Sequence, residues 1–168
     1  MLPILKLNLT TNTTEEFIIP KDWERDFLGG ASLAAKILYT SLTKELDPLS
    51  PESPLLFING PLSGTYGPTT GRFVICGKGP VTGLWAESNI GGFWGPELRK
   101  AGYDGLWITG KAPGPVYVWI QEGRLEVRDA AGLMGRDVYE TQELVKAEVG
   151  VKSARVAVIG EAGERGVK

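Results

Sequence analysis

Glycine is the residue type that most constrains the fold of this chain. The 168 residues contain 23 glycines and 11 prolines, which stand in short, ordered-looking segments and not in a low-complexity tail. Glycine reaches backbone conformations that other residues avoid, and it lets the backbone approach another group closely. We therefore expect tight turns between short elements, and the glycine-rich segments are the first candidates for ligand-binding loops.

Two residue types that carry much protein chemistry are nearly missing. The sequence has no histidine, and Cys76 is its single cysteine. A disulfide, a multi-cysteine metal site or a histidine-dependent triad therefore cannot be assembled from these residues. The chain cannot be a self-contained metal enzyme. Because Cys76 lies within a run of β-forming residues, we expect a small buried apolar side chain and not a nucleophile.

Charge and hydropathy narrow the partners and the location. The formal net charge of -2 supplies no basic field, so nucleic acid is not an expected partner. No apolar run approaches the roughly 18 residues of a membrane helix, and the N-terminus does not resemble a signal peptide. We expect a soluble, cytoplasmic chain with no membrane partner. Its length fits one domain, residues 1–168.

Hydrophobic periodicity predicts an α+β fold dominated by β-sheet. The pair Glu122-Gly123 between two apolar runs predicts a hairpin. Strands are predicted at 4–9, 16–19, 55–58, 72–77, 106–109, 116–121, 125–128 and 155–159. Helices are predicted at 31–39, from Pro96 to Gly102 and at 137–149. The pairs Gly29-Gly30 and Gly91-Gly92 each open a predicted helix followed by an apolar strand, which indicates an internally duplicated β-rich unit.

The segment from Gly60 to Arg72 is the first candidate site. Its closely spaced glycines can present backbone amides to an anion. Arg72 adds a planar guanidinium that suits a phosphate or the edge of a heterocycle. A plain crossover loop with a surface arginine is the alternative.

The segment Ser88-Asn89-Ile90-Gly91-Gly92 is the second candidate site. It places hydrogen-bonding side chains and bare backbone before a predicted helix, whose N-terminal amides favour anions. The alternative is ordinary capping, with Ser88 or Asn89 closing the start of the helix.

The remaining polar and aromatic residues show no catalytic pattern. Glu87, Asp104 and Asp137 have no spacing that pairs them for acid–base work, so we expect them to be solvated or to cap helices. Aromatic residues in the middle third could flatten against a planar ring, or fill a core or an interface. They are Trp85, Phe93, Trp94, Tyr103, Trp107, Tyr117 and Trp119.

Six phrases in fixed order carry a family resemblance across essentially the whole chain. They are 27–30 (FLGG), 47–52 (DPLSPE), 59–64 (NGPLSG), 71–72 (GR), 88–92 (SNIGG) and 100–104 (KAGYD). In these phrases the sequence resembles the aldehyde ferredoxin oxidoreductase family. The resemblance implies a β-sheet-rich N-terminal domain that forms one wall of a bis-pterin site, with tungstopterin or molybdopterin as cofactor.

The resemblance also implies roles for individual residues. Arg72 matches an arginine that touches the pterin, and Asn89 matches a residue whose backbone carbonyl holds a magnesium ion between the pterin phosphates. Gly91 matches a backbone contact to the pterin. Ser88 and Gly92 flank these contacts and are included with them. No catalytic residue is expected in this chain.

The parent enzyme that the resemblance implies oxidises aldehydes to carboxylic acids and passes electrons through a 4Fe-4S cluster to ferredoxin. The cluster ligands and the remaining domains lie outside these residues, so we expect the chain alone to be inactive. Its expected partners are those domains, ferredoxin and the aldehyde substrate, with a homo-oligomer left open. The alternative is a non-catalytic scaffold or short subunit that binds a partner protein through the aromatic-rich face.

Overall fold

A mixed six-stranded sheet forms the centre of the computed structural model, which describes residues 1–167. Its strands are β1 (Ile4–Asn8), β2 (Thr13–Phe17), β3 (Leu55–Asn59), β4 (Phe73–Lys78), β5 (Trp85–Ile90) and β6 (Gly105–Thr109). A separate hairpin consists of β7 (Val116–Gln121) and β8 (Arg124–Asp129). The helices are α1 (Lys21–Phe27), α2 (Gly30–Ser41), α3 (Trp94–Lys100), α4 (Val138–Val149) and α5 (Gly160–Glu164).

The strand order across the large sheet is β2-β1-β6-β3-β4-β5. Strand β1 runs parallel to β6, and every other neighbouring pair is antiparallel. Helices lie on both faces of a sheet in which antiparallel pairs predominate. The predicted α+β class is confirmed.

The order of the strands matches a duplicated unit, but their directions do not. The first half of the chain contains β1, β2, α2 and β3, and the second half contains β4, β5, α3 and β6. If each strand is replaced by its counterpart in the other half, the strand order of the sheet is the same order read backwards. That exchange maps the parallel pair β1–β6 onto β4–β3, which is antiparallel. A two-fold axis therefore cannot superimpose all four elements of each half.

One face of the sheet is covered by α2. Its buried residues Leu33, Ala34, Ile37 and Leu38 recur at the spacing that places them along one stripe of a helix. They pack in one cluster with alternate residues of β3, β4 and β1, among them Leu56 and Cys76. Each fully buried leucine or isoleucine contributes about 1.5–3 kcal/mol, so this contact is a main source of the domain's stability.

The opposite face is covered by α3 and by the β7–β8 hairpin. Leu98 of α3 packs with Leu5, Tyr103 and Leu106, and hairpin side chains, Ile120 among them, lie against this cluster. The hairpin turns at Glu122 and Gly123, both at positive φ (49° and 78°), as a two-residue turn of this type requires. The predicted hairpin is confirmed.

Two short helices were not expected from the sequence. Helix α1 follows Pro20, carries Asp22 and Glu24 in its first turn and packs Trp23 against the first core cluster. Helix α5 has five residues and begins at Gly160. Neither is long enough to show a repeated apolar stripe, which is the signal that identifies a helix in a sequence.

The strand predicted at 155–159 is not formed within residues 1–167. The segment follows α4 without secondary structure, and none of its residues shares a backbone hydrogen bond with another described residue. A strand exists only when a neighbour completes its hydrogen bonds. Helix α4 itself agrees with the prediction, since the side chain of Asp137 accepts hydrogen bonds from the Tyr139 and Glu140 amides, as an N-cap does.

Across the described residues, the structure contains no helix that is both long and apolar enough to cross a membrane.

Candidate functional site

Two glycines bring the candidate segments into contact. A Cβ atom added to Gly71 would lie 2.1 Å from the carbonyl oxygen of Gly92, far inside van der Waals contact. Position 71 therefore admits no side chain in this conformation. The φ of Gly92 is +104°, which residues with a Cβ rarely adopt. The end of the glycine-rich loop and the segment after β5 thus meet through bare backbone.

Arg72 and Asn89 meet beside this contact. Arg72 donates a hydrogen bond from Nη1 to Oδ1 of Asn89 at 2.7 Å, and both residues are exposed. Their proximity follows from the β4–β5 register, in which Val74 pairs with Asn89 and Arg72 lies two residues before Val74. The structure therefore brings together Arg72, Asn89, Gly91 and Gly92 at one edge of the sheet.

Ser88 lies on the other face of β5. It pairs with Ile75, whereas Asn89 pairs with Val74, and successive side chains of a strand point to opposite faces. The side chain of Ser88 is exposed and separated from the Arg72–Asn89 pair by the strand itself. Of the five predicted residues, Ser88 is the one whose side chain is directed elsewhere.

Neither Ser88 nor Asn89 caps a helix, so that alternative is wrong. Both belong to β5, and α3 begins only at Trp94, with Phe93 at its N-cap and no side-chain capping bond. The misreading has a physical cause, because Gly91-Gly92 marks a turn out of a strand just as well as a turn into a helix.

Arg99 holds the start of the glycine-rich loop through hydrogen bonds. Its guanidinium donates hydrogen bonds to the carbonyl oxygens of Gly60, Pro61 and Ser63. The same guanidinium forms an ion pair with Asp104. One side chain of α3 thereby holds the first four residues of the loop.

The expectation that Asp104 is solvated or caps a helix is wrong. Asp104 is 1% exposed, and besides the Arg99 ion pair it accepts a hydrogen bond from the amide of Leu2 at 2.7 Å. Its backbone joins the N-terminal segment to the end of β3, through Pro3 and Asn59. No local pattern around Arg99 or Asp104 reveals this network, because its partners are distant in the sequence.

A second buried contact links the loop to α3. Asn59 is 0% exposed and donates from Nδ2 to the carbonyl oxygen of Gly95 at 2.9 Å. A Cβ at Gly95 would lie 2.5 Å from Oδ1 of Asn59, so the helix approaches the loop at a glycine. Among residues 1–167, Oδ1 of Asn59 and Oγ of Ser63 are buried without a hydrogen-bond partner.

The outer part of the loop closes on itself. The amide of Gly64 donates to the carbonyl oxygen of Thr70 at 2.9 Å, and Oγ1 of Thr70 donates to the carbonyl oxygens of Thr65 and Gly67. Tyr66 projects from it fully exposed. The loop is therefore internally hydrogen-bonded, which agrees with tight turning without disorder.

The aromatic residues do not form one platform. Trp107 packs against Phe17 in the first core cluster, and Trp94 stacks on Phe57 and Phe73 on the opposite face. Phe93 is 63% exposed beside Gly92, and the guanidinium carbon of Arg155 lies 4.7 Å from the centre of its ring. The tryptophans thus fill separate parts of the structure.

Arg72 supplies an exposed positive charge at the site. Glu87 is an exposed carboxylate on the same face of β5 as Asn89, two residues away.

Burial, with a smaller contribution from the charge of Glu87, raises the pKa of Cys76 to about 12. Cys76 is 1% exposed, which confirms its expected core role. The described residues include no cluster of three potential metal-ligating side chains.

Comparison with known proteins assigns this chain to a family. The family described as "Aldehyde ferredoxin oxidoreductase, N-terminal domain" matches residues 4–168. Tungsten-containing aldehyde ferredoxin oxidoreductases from Pyrococcus horikoshii and Pyrococcus abyssi are 40% and 41% identical to this chain. Each alignment covers 98% of this chain and 27% of the relative, so the chain spans about a quarter of their length.

A solved structure also contains a domain with the same fold as this chain. It is described as the active site complex BamBC of benzoyl coenzyme A reductase with 1,5-dienoyl-CoA, and it superposes with a TM-score of 0.94 at 40% identity. The superposition covers 96% of this chain and 25% of that one. This chain therefore belongs to the aldehyde ferredoxin oxidoreductase N-terminal domain family.

Proposed function

We propose that residues 1–168 are the cofactor-binding N-terminal domain of a tungsten- or molybdenum-dependent oxidoreductase. The observation that carries the proposal is the exposed group formed by Arg72, Asn89, Gly91 and Gly92 at the edge of the sheet. It combines a cation, a carbonyl-bearing edge strand and bare glycine backbone in one place. Family membership supplies the cofactor class, a bis-pterin.

The residues present fit such a group. Nothing lies within 4 Å of a Cβ placed on Gly91 or Gly92, so a ligand can reach this backbone directly. The guanidinium of Arg72 suits an anionic phosphate or a heterocycle edge. Oδ1 of Asn89 accepts a hydrogen bond from Arg72, and we assign the backbone carbonyl of Asn89 to a magnesium ion, which prefers oxygen ligands.

The role of this chain in the reaction is to bind and to orient. Arg72 holds negative charge against the sheet edge, and the Arg99–Asp104 pair keeps the glycine-rich loop in shape beneath it. A bound tungsten or molybdenum centre would supply the two-electron chemistry. We assign no proton transfer to this chain, and no catalytic residue.

We propose aldehyde oxidation to a carboxylic acid, with ferredoxin as electron acceptor, as the reaction of the parent enzyme. The names of the Pyrococcus relatives support this assignment. The remaining domains would supply the 4Fe-4S cluster ligands and the substrate pocket. A cytoplasmic location stays a prediction.

A second candidate reaction is favoured by the solved structure. The benzoyl coenzyme A reductase complex is as similar in sequence, at 40% identity, as the Pyrococcus horikoshii enzyme. The parent enzyme would then act on an aromatic or dienoyl thioester of coenzyme A. Since this domain provides only the cofactor wall, the two reactions differ in residues outside it.

The test is anaerobic expression of the complete protein, followed by determination of tungsten, molybdenum, iron, magnesium and pterin. Reduction of a viologen dye is then measured with a panel of aldehydes, and separately with 1,5-dienoyl-CoA. Metal, pterin and aldehyde-dependent reduction would support the first reaction, whereas activity with the thioester alone would support the second. A protein with neither metal nor pterin would leave the scaffold alternative.

A further inference from the structure

Two contacts at the surface join the segments that carry the candidate site. Gly71 meets the carbonyl oxygen of Gly92 through bare backbone, and the hydrogen bond from Arg72 to Asn89 is exposed. An exposed hydrogen bond competes with water and fixes a position only weakly. The separation between Arg72 and the turn at Gly91 and Gly92 therefore depends on what lies behind both segments.

Asn59 lies behind both segments. It is the last residue of β3 and pairs with Phe73, which follows Arg72 directly. Its side chain donates a hydrogen bond from Nδ2 to the carbonyl oxygen of Gly95 at 2.9 Å, three residues after Gly92. One side chain, 0% exposed, thereby connects the strand that follows Arg72 with the first turn of α3.

The first turn of α3 packs closely against its surroundings. A Cβ on Gly95 would lie 2.5 Å from Oδ1 of Asn59, and 3.2 Å from both Cβ of Phe73 and Oγ of Ser63. The ring centre of Trp94 lies 4.7 Å from that of Phe73. Because closely packed interiors transmit displacements, a shift of the Asn59 side chain moves the start of α3 and the turn that precedes it.

Asparagine is a costly residue at position 59 if stability alone is considered. Among residues 1–167, Oδ1 of Asn59 is buried without a hydrogen-bond partner. A buried oxygen in that state has lost its hydrogen bonds to water, whereas an apolar side chain of the same shape loses none. What asparagine adds over leucine is a directional hydrogen bond to one carbonyl of α3.

We propose that Asn59 is a positioning residue of the cofactor site. Through the carbonyl of Gly95 it sets the separation between Arg72 and the turn at Gly91 and Gly92, which a bound bis-pterin contacts on both sides. Binding sites need their contact groups held within about 0.5 Å of the productive geometry. Asn59 itself touches no cofactor and acts through α3. The inference rests on the proposed function.

Asn59→Leu in the full-length protein tests the proposal, because leucine keeps the branched shape and removes the donor. The Glu97 amide, which donates to the Phe93 carbonyl at 3.0 Å, closes the first turn of α3. We expect it to exchange about tenfold faster in the variant, and the Ala101 amide at the other end of the helix to be unchanged. Pterin per chain after anaerobic purification should fall several-fold.

Thr141→Val is the matched control. Thr141 is buried, and its Oγ1 donates to the carbonyl oxygen of Asp137 at 2.8 Å, so valine removes a buried side-chain hydrogen bond in α4, outside the site. This variant should keep its pterin and its Glu97 exchange rate, even where its thermal stability falls as far as that of Asn59→Leu. Equal pterin loss in the two variants would reduce Asn59 to a general contributor to stability and would overturn the proposal.

Gly95→Ala perturbs the same contact from the helix side, since its Cβ meets Oδ1 of Asn59. It should reproduce the loss of pterin, and it carries the test if Asn59→Leu does not fold. A loaded wild-type protein with undiminished pterin in the folded variants would overturn the positioning role alone. A wild-type protein that contains no pterin would overturn the proposed function, and the positioning role with it.

Discussion

The ion pair between Arg99 and Asp104 connects the sheet to the glycine-rich loop. Asp104 is 1% exposed, and the Arg99 side chain is 19% exposed. The arginine reaches three loop carbonyls, while the aspartate holds the N-terminal segment through the Leu2 amide. The shape of the glycine-rich loop that leads to Arg72 therefore depends on a contact made by Arg99, in the last turn of α3.

Removing the arginine should destabilise the domain strongly. Arg99→Met leaves the buried Asp104 carboxylate without its counter-charge, a loss of about 3–5 kcal/mol in the free energy of unfolding. Urea denaturation of this chain measures the change. The control is Lys100→Met, which breaks the exposed Lys100–Glu97 pair and should cost at most about 1 kcal/mol. Equal losses in the two variants would show that Arg99 acts as an ordinary surface residue.

Gly71 should tolerate no side chain. Gly71→Ala places a Cβ against the Gly92 carbonyl, so the two segments must move apart, at a cost of about 1–3 kcal/mol. Gly114→Ala is the control, because nothing lies within 4 Å of a Cβ there and φ is not positive. Thermal unfolding of both variants makes the comparison. A Gly71→Ala protein as stable as the control would mean that the two segments separate easily.

Arg72 should matter for the cofactor and not for the fold. Arg72→Gln removes an exposed cation, so the free energy of unfolding, measured by thermal denaturation, should change by less than about 0.5 kcal/mol. Pterin and tungsten content of the full-length protein should fall several-fold. Arg124→Gln, a change at another exposed arginine far along the chain, should leave both unchanged. Normal cofactor content in the Arg72 variant would remove this residue from the site.

Asn89 separates side-chain from backbone roles. Asn89→Ala deletes the acceptor of the Arg72 hydrogen bond but keeps the backbone carbonyl. We expect magnesium content to persist in the full-length protein and pterin content to fall less than in the Arg72 variant. Complete loss of magnesium in Asn89→Ala would show that the side chain, and not the carbonyl, holds the ion.

Cys76 makes stability depend on alkaline pH. Burial raises the pKa of its thiol from 9.0 to about 12, so the unfolded chain ionises first as the pH rises. The contribution is fully present below pH 9 and is lost progressively between pH 9 and 12. Urea unfolding at pH 8, 9.5 and 10.5 should therefore show a steeper loss for the native chain than for Cys76→Ala. Parallel slopes would indicate that the thiol is accessible to water when folded.

The elements with strong local patterns could be predicted from the sequence. Helix α2 carries its apolar stripe within one segment, and the hairpin turn at Glu122-Gly123 carries its own signal. The short helix α1 has no repeated pattern and was missed. The strand predicted at 155–159 has the right alternation, but none of the described residues pairs with it.

The candidate site shows the same division. Arg72, Asn89, Gly91 and Gly92 could be selected by family resemblance, and the structure brings them together. Ser88 could not be separated from them, because the face of a strand residue depends on register. Arg99 was not selected at all, since its loop partners lie nearly forty residues before it in the chain.

By itself, the sequence determined the α+β class, the family, and the exclusion of histidine and multi-cysteine chemistry, because composition and local order suffice for each. Only the tertiary structure decided that Gly71 touches Gly92, that Arg72 bonds Asn89 across β4 and β5, and that Asp104 is buried beneath the loop. These relationships join distant segments. They follow from strand register and helix packing, which no local pattern specifies.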